Sequence, residues 1–359
     1  MTRRRRKPRA RVPAVQVFVN PLHARHQGRH EMFRGRLVPC VESPDRVEHV
    51  RAELQRRGIG RWQSPAEPDL DLLQRVHDAR YLQFLQSAWT DWLALDPGHA
   101  AFDLLPSVWP APGMRRGRLP AELSARVGLF AFDAGSPITA GTWDAARAGA
   151  GCAVSAARAL LAGEASAFAL TRPPGHHAGA GFYGGYCFLN NSALAAQALR
   201  DGGMARVAIL DVDYHHGNGT QSIFYERADV LTVSLHGDPR TEYPFYLGHA
   251  DERGAGAGEG FNLNLPLPRG TAFGAWRRAL QQALQAVADF RPDALVVALG
   301  LDSFEGDPIS GFKLRSADYV DVGADLRALG LPTVFVFEGG YAVAEIGVNA
   351  VNVLEGFLR

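Results

Sequence analysis

Lysine is nearly missing from this chain: Lys7 and Lys313 stand against 36 arginines in 359 residues, a bias of composition that carries no functional reading of its own. Cysteine is scarce as well. Cys40, Cys152 and Cys187 are scattered and odd in number, which excludes a disulfide framework or a cysteine-type metal cluster and fits buried thiols in a reducing, cytoplasmic setting. No stretch approaches the ~20 apolar residues of a membrane span. No apolar run of ~7–15 residues with a small-residue cleavage site follows the basic start, so a secretory signal is not expected. Neither sign of charge dominates, and a formal net charge of +1 gives no global pull toward nucleic acid or membrane. The imbalance is local: residues 3–11 carry seven Arg/Lys, and Arg115, Arg116 and Arg118 form a second basic cluster. The first reads as a flexible basic tail over residues 1–14 in preference to a nucleic-acid arm.

What remains is ordinary for a soluble globular protein, with 47% hydrophobic and 21% charged residues. A chain of this length can form one α/β unit, here residues 15–359. Strand-like runs occur at Val15–Val19, Ala167–Leu170, Val207–Asp211, Val230–Leu235, Phe261–Leu265, Ala294–Gly300 and Thr333–Phe337. Helical stretches separate most of them: Asp45–Arg57, Asp144–Ala162, Ser192–Arg200, Ala272–Phe290, Ser316–Leu329 and Ala344–Leu358. Several strands are continuous apolar runs, which predicts a central parallel sheet with helices on both faces. Residues 89–120, rich in Trp, Pro, Gly and Arg, read as a long irregular insertion loop, a length that is usually functional or forms an interface.

Chemistry-bearing residues collect just after four of these strands. Asp211-Val-Asp213-Tyr-His215-His-Gly-Asn-Gly-Thr220 follows the third run. In extended chain Asp211, Asp213 and His215 share one face, and oxygen and nitrogen donors so arranged suit a divalent metal with an open position. Arg172-Pro-Pro-Gly-His176-His177 follows Ala167–Leu170; adjacent imidazoles in such a turn can serve as general acid and base. Gly179, Gly181, Gly184 and Gly185 come next and let backbone approach a substrate closely. Asp302 lies just past Ala294–Gly300, placed to add a metal ligand, in the string Asp302-Ser-Phe-Glu-Gly-Asp307-Pro308. Glu338-Gly-Gly-Tyr341 follows the last strand, and a tyrosine hydroxyl there can donate to developing negative charge. Each cluster alone could cap a helix or face water. Four at the carboxyl ends of parallel strands point to one site.

These segments, with Gly184-Gly-Tyr-Cys-Phe-Leu-Asn190 and Leu301–Leu314, resemble the arginase/deacetylase superfamily, and more closely the zinc-dependent histone deacetylases and bacterial acetylpolyamine amidohydrolases. The string Leu301–Leu314, Ser234–Pro239 and the run from Leu82 to Trp92 favour the polyamine branch, and the likeness covers about 15–359. The resemblance implies Asp213, His215 and Asp302 as metal ligands and His176 and His177 as the catalytic pair. It implies Asp211 and Asn218 as their respective partners and Tyr341 as the carbonyl-polarising tyrosine. Tyr186, Tyr243 and Gly185 would line the substrate tunnel. One Zn²⁺ is implied, with Fe²⁺ or Co²⁺ as alternatives for an oxygen-rich site, and K⁺ or Na⁺ near Asp211–His215. A homodimer through the 89–120 loop, which would also rim the site, is implied too, with Trp89, Trp92 and Trp109 suited to an apolar contact.

The expected activity is removal of acetyl from a small acetylated amine, foremost an acetylpolyamine, by attack of metal-activated water. Alternatives are acyl-lysine or another acylated amine, an arginase-like ureohydrolase, or a non-catalytic binding protein. Two departures bear on the amine: acids that attract distal ammonium groups in the bacterial relatives align with Ser124 and Gly135, with Glu122 and Asp133 as nearby substitutes. The acidic gatekeeper of the eukaryotic polyamine deacetylase would fall at Ile309.

Overall fold

The continuous apolar runs fold as strands covered on both sides. The computed structural model describes residues 14–359, so all but the last residue of the expected basic tail lies outside the described residues. In chain order the elements are β1 (Val15–Val19), β2 (His30–Phe33), β3 (Arg36–Pro39), α1 (Asp45–Arg57), β4 (Gly60–Gln63), α2 (Leu70–Gln74) and α3 (Ala79–Leu95). There follow α4 (Leu123–Phe130), α5 (Thr142–Leu161), β5 (Ser166–Leu170), α6 (Asn191–Asp201), β6 (Val207–Asp211), α7 (Asn218–Phe224) and β7 (Val230–Gly237). Then come β8 (Asn262–Leu267), α8 (Phe273–Phe290), β9 (Ala294–Leu299), α9 (Asp318–Arg327), β10 (Thr333–Phe337) and α10 (Val343–Leu358).

Eight strands form one sheet in the order β4-β1-β5-β10-β9-β6-β7-β8, and every pairing is parallel. Alternate residues of a strand serve opposite cores, as the period of two requires. Ala167, Ile209, Val296 and Val336 pack under α3–α6, whereas Phe168, Leu210, Val297 and Phe335 pack under α1, α8, α9 and α10. This is the predicted α/β architecture with helices on both faces.

Several parts differ from the sequence reading. A small antiparallel hairpin, β2–β3, precedes α1, and its turn places Arg34 and Gly35 both at positive φ, the geometry that matches strand twist in a two-residue turn. The expected 89–120 loop begins as helix: α3 runs to Leu95 because no breaker occurs before Pro97. The segment after it folds back, with His99 Nδ1 2.9 Å from the Trp92 carbonyl and the two rings stacked at 3.7 Å. Finally, β6 ends at Asp211, so Asp213 and His215 stand in a turn and not in extended chain.

Candidate active site

Four neighbouring strands in the middle of the sheet, β5, β10, β9 and β6, deliver the four clusters to one edge. The turn after β6 is built by its own acids. The Asp213 N–H donates to Asp211 Oδ1 at 3.1 Å and the His215 N–H to Asp213 Oδ1 at 2.9 Å, side chains replacing the ladder that ends there. This winding turns Asp211 away from Asp213 and His215, so the three do not form one ligand set.

Asp213, His215 and Asp302 do converge: one donor atom from each lies within 4.8 Å of the others. His215 Nδ1 is 2.8 Å from Asp302 Oδ2 and 3.4 Å from Asp213 Oδ1. Backbone N–H groups aim the carboxylates, Tyr214 at Asp302 Oδ1 (2.7 Å) and Gly339 at Asp213 Oδ2 (2.9 Å). Both acids are fully buried, and among the described residues no Lys or Arg pairs with either. Burial and the charge of Asp213 push Asp302 up to about 8. Two buried carboxylates beside an imidazole, with no fixed cation, are a donor set that a divalent ion would satisfy.

The two histidines are held differently. His176 Nδ1 donates to Asp211 Oδ2 at 2.9 Å, and His177 Nδ1 to Asn218 Oδ1 at 2.6 Å. Their rings lie 4.0 Å apart. Burial alone would lower His176, but the carboxylates of Asp213 and Asp211 outweigh it and raise it to about 10. Burial, with the neighbouring His176 and His215 charges, drives His177 far below its ordinary value. A divalent ion at Asp213 would offset part of the attraction on His176, yet the Asp211 partner keeps it the more basic of the two.

Tyr341 is buried beneath the rim. Its N–H donates to Asp307 Oδ2 at 2.7 Å, and the Arg46 guanidinium lies 4.8 Å from its ring centre. Tyr186 stands 5.5 Å from Tyr341, and Tyr243 5.1 Å from His177, both edge-on. Gly185 lies between, at φ +54, and a Cβ there would meet His177 Cδ2 at 2.2 Å. Only glycine lets the backbone pass this close.

Every site residue named from the sequence is therefore brought to this edge of the sheet. Three neighbours join them: Glu31 and Arg46, which the sequence reading did not single out, and Asp133, which it named as a nearby acid. Glu31 on β2 accepts from the Tyr186 hydroxyl (3.0 Å), and Asp133 accepts from the Tyr243 hydroxyl (2.6 Å) and the Gly185 N–H (2.8 Å). Asp133 thus stands against Tyr243 and Gly185, whereas Glu122 caps α4 through Ser124 and is exposed. Arg46 projects from α1 to the carbonyls of Gly340 and Glu338 and to Glu42. A legible sign existed for Arg46: it adjoins Val47 and Val50 on the buried stripe of an amphipathic helix, where a charge needs a partner.

An all-parallel sheet with a metal-competent, histidine-rich pocket at its carboxyl edge defines an α/β enzyme of the arginase/deacetylase type. The histone deacetylase domain matches residues 40–357, and the chain belongs to the histone deacetylase family. It is 52% identical over 335 residues to acetylpolyamine amidohydrolase 2 of Pseudomonas aeruginosa, covering 93% of this chain and 96% of that protein. It is 45% identical over 343 residues to the acetylpolyamine amidohydrolase of Mycoplana ramosa, covering 95% and 99%. The crystal structure of acetylpolyamine aminohydrolase from Burkholderia pseudomallei superposes with a TM-score of 0.91 at 38% identity, covering 96% of this chain and 98% of that one. Among the described residues no helix is long and apolar enough to cross a membrane.

Proposed function

We propose that this chain is a metal-dependent deacetylase that hydrolyses the acetyl amide of a small acetylated amine, an acetylpolyamine foremost. The observation that carries the reading is the meeting of Asp213, His215 and Asp302 with two separately partnered histidines and a buried tyrosine at one sheet edge. Asp213, His215 and Asp302 would hold the ion, Zn²⁺ with Fe²⁺ or Co²⁺ as alternatives. When bound it acts as a Lewis acid and lowers the pKa of water from 15.7 toward about 7.

The protein's own groups do the rest. His177, neutral through burial, takes the proton of the attacking water, and Asn218 fixes its Nδ1–H inward so that Nε2 is the basic atom. His176, raised by the carboxylates of Asp213 and Asp211 and held at Nδ1 by Asp211, stabilises developing negative charge beside it. The Tyr341 hydroxyl donates to the carbonyl oxygen as it becomes an oxyanion. The protonated His177 then returns its proton to the leaving amine.

Tyr186, Tyr243 and Gly185 wall the substrate's path. Behind the tyrosines stand Glu31 and Asp133, neither in an ion pair among the described residues, and these supply the negative field that Ser124 and Gly135 lack. Burial raises both acids, Glu31 to about 7, so an alkylammonium nearby would favour their charged forms. A small cavity lined in part by Asp211, His216, Gln221, Ser234 and Asn264 supports a K⁺ or Na⁺ site. The residues 15–359 form the catalytic domain, and the 89–120 segment is proposed as dimer contact and site rim.

A kcat/KM panel on metal-replete protein tests the reading, comparing N-acetylputrescine, N-acetylcadaverine and N⁸-acetylspermidine with acetyl-lysine peptides and longer acyl amides. A preference of ~100-fold for acetylpolyamines, about 2.7 kcal/mol of transition-state discrimination, is expected. Equal or better turnover of acyl-lysine would reassign the amine, and no turnover after metal loading would remove the deacetylase reading.

A further inference from the structure

The chemistry above leaves Glu338 without a task, although it sits against the tandem histidines. It is the first residue past β10, and its side chain is wholly buried. Oε2 accepts from the Gly175 N–H at 2.6 Å and the His176 N–H at 3.2 Å, while Oε1 accepts from the Ser192 hydroxyl at 2.8 Å. Its own backbone is fixed on both sides. The N–H donates to the Leu299 carbonyl at 3.0 Å and the carbonyl accepts from Arg46. Among the described residues no Lys or Arg pairs with the carboxylate, and Arg46 is paired with Glu42 instead. A buried carboxylate with three neutral donors and no Lys or Arg partner is costly to keep for stability alone.

Its position gives the reason. The turn Arg172–His177 leaves β5, the strand beside β10, with no ladder partner of its own. The ring of His176 is tethered at Nδ1 by Asp211, and its Nε2 lies 3.8 Å from Asp213 Oδ1. The backbone from which that ring pivots is held on its N–H side by Glu338, while the His176 carbonyl accepts from the Thr220 N–H at 3.1 Å. His177, the next residue, shares the same turn and is tethered at its ring by Asn218.

We propose that Glu338 is a positioning residue of the reaction, its buried carboxylate fixing the Gly175–His176 backbone and thereby the aim of both imidazoles. This rests on the reading of His176 and His177 as the pair that handles charge and protons. Glu338→Gln keeps a carbonyl for both N–H groups and an amide that can donate to Ser192, so it retains the geometry without the charge. Glu338→Ala removes the two N–H anchors of the turn and leaves those on its carbonyls, from Asn20, Asn191 and Thr220, and a displacement of about 1 Å in a catalytic group costs on the order of 10²-fold in rate.

The expected result is kcat within about threefold of wild type for Glu338→Gln and lowered on the order of 10²-fold for Glu338→Ala, with KM and metal content unchanged. The downfield proton resonance of His176 Nδ1–H should move or broaden in Glu338→Ala and stay in place in Glu338→Gln. If the alanine variant does not fold, Ser192→Ala decides, since loss of that donor loosens the carboxylate; a fall in kcat of about threefold or more is expected. The proposal is overturned if Glu338→Ala keeps kcat within threefold, if Glu338→Gln is damaged equally, or if Ser192→Ala matches wild type. The resonance needs no substrate, so it separates this proposal from the deacetylase reading: an inactive wild type removes the latter, an unmoved resonance in Glu338→Ala the former.

Discussion

Tyr341 is held by groups that do not involve its hydroxyl: Asp307 on its backbone N–H, Arg46 over its ring and Tyr186 against its edge. Removing the oxygen should therefore leave the ring in place and delete one hydrogen-bond donor to the oxyanion. Tyr341→Phe is expected to lower kcat by roughly 10²–10³, with KM and metal content unchanged, measured on the best acetylated amine. A variant within threefold of wild type would leave the hydroxyl no such part. At this scale the candidate site residues were legible because each follows an apolar run that had to be a strand. Asp213, His215, Asp302, His176 and Tyr341 stand out as polar groups at strand ends. Their supports were not legible, since Glu31 meets Tyr186 across 155 residues and Glu338 meets Gly175 across 163. Contacts of that separation leave no local pattern in a sequence.

Elements were read well where burial is complete and poorly where it is not. The ranges of β1, β10 and α1 agree residue for residue with the apolar patterns, because both faces of those strands, or one stripe of that helix, are covered. The edge strand β4 and the hairpin strands are short and mostly exposed, so they show neither a continuous run nor alternation. A Gly-Asn-Gly start hid α7. Between elements, α1 is tied to α10 by a charge cluster: Glu53 accepts from Arg56 and Arg57, and Arg57 also reaches Asn352 and Glu355. Arg56 first, then Arg57 against the burial, hold Glu53 down at about 2. A carboxyl lowered in the fold stabilises fully above its ordinary value of about 4.5 and loses that contribution as pH falls toward about 2. Glu53→Gln should lower Tm at pH 7 by about 1–2 °C, as expected for about 1 kcal/mol from a partly exposed cluster. Calorimetry should find the gap closing between pH 4.5 and pH 2, and a gap that stays constant with pH would show that the cluster's charge is not its cause.

Large exposed apolar side chains on the molecule are not spread evenly. Leu95 ends α3, Phe102, Val108, Trp109, Met114 and Leu119 belong to the segment after it, and Met32, Phe33 and Leu37 to the β2–β3 hairpin. The two regions adjoin, because the Arg29 N–H donates to Asp103 Oδ2 at 2.5 Å and its guanidinium reaches the Ala101 carbonyl. Exposed apolar side chains gathered in this way suit the dimer contact proposed above. Trp92 is not part of it, being stacked on His99 of its own chain, so the contact would rest on Phe102 and Trp109 instead. The same hairpin carries Glu31, which accepts from the Tyr186 hydroxyl, so covering this surface would steady the side of the substrate path proposed for Tyr186. Light scattering should therefore give the mass of two chains, and Phe102→Asp with Trp109→Asp should give the mass of one together with a raised KM. A wild-type mass of one chain at assay concentration would remove the dimer and leave the 89–120 segment as a rim folded on its own subunit.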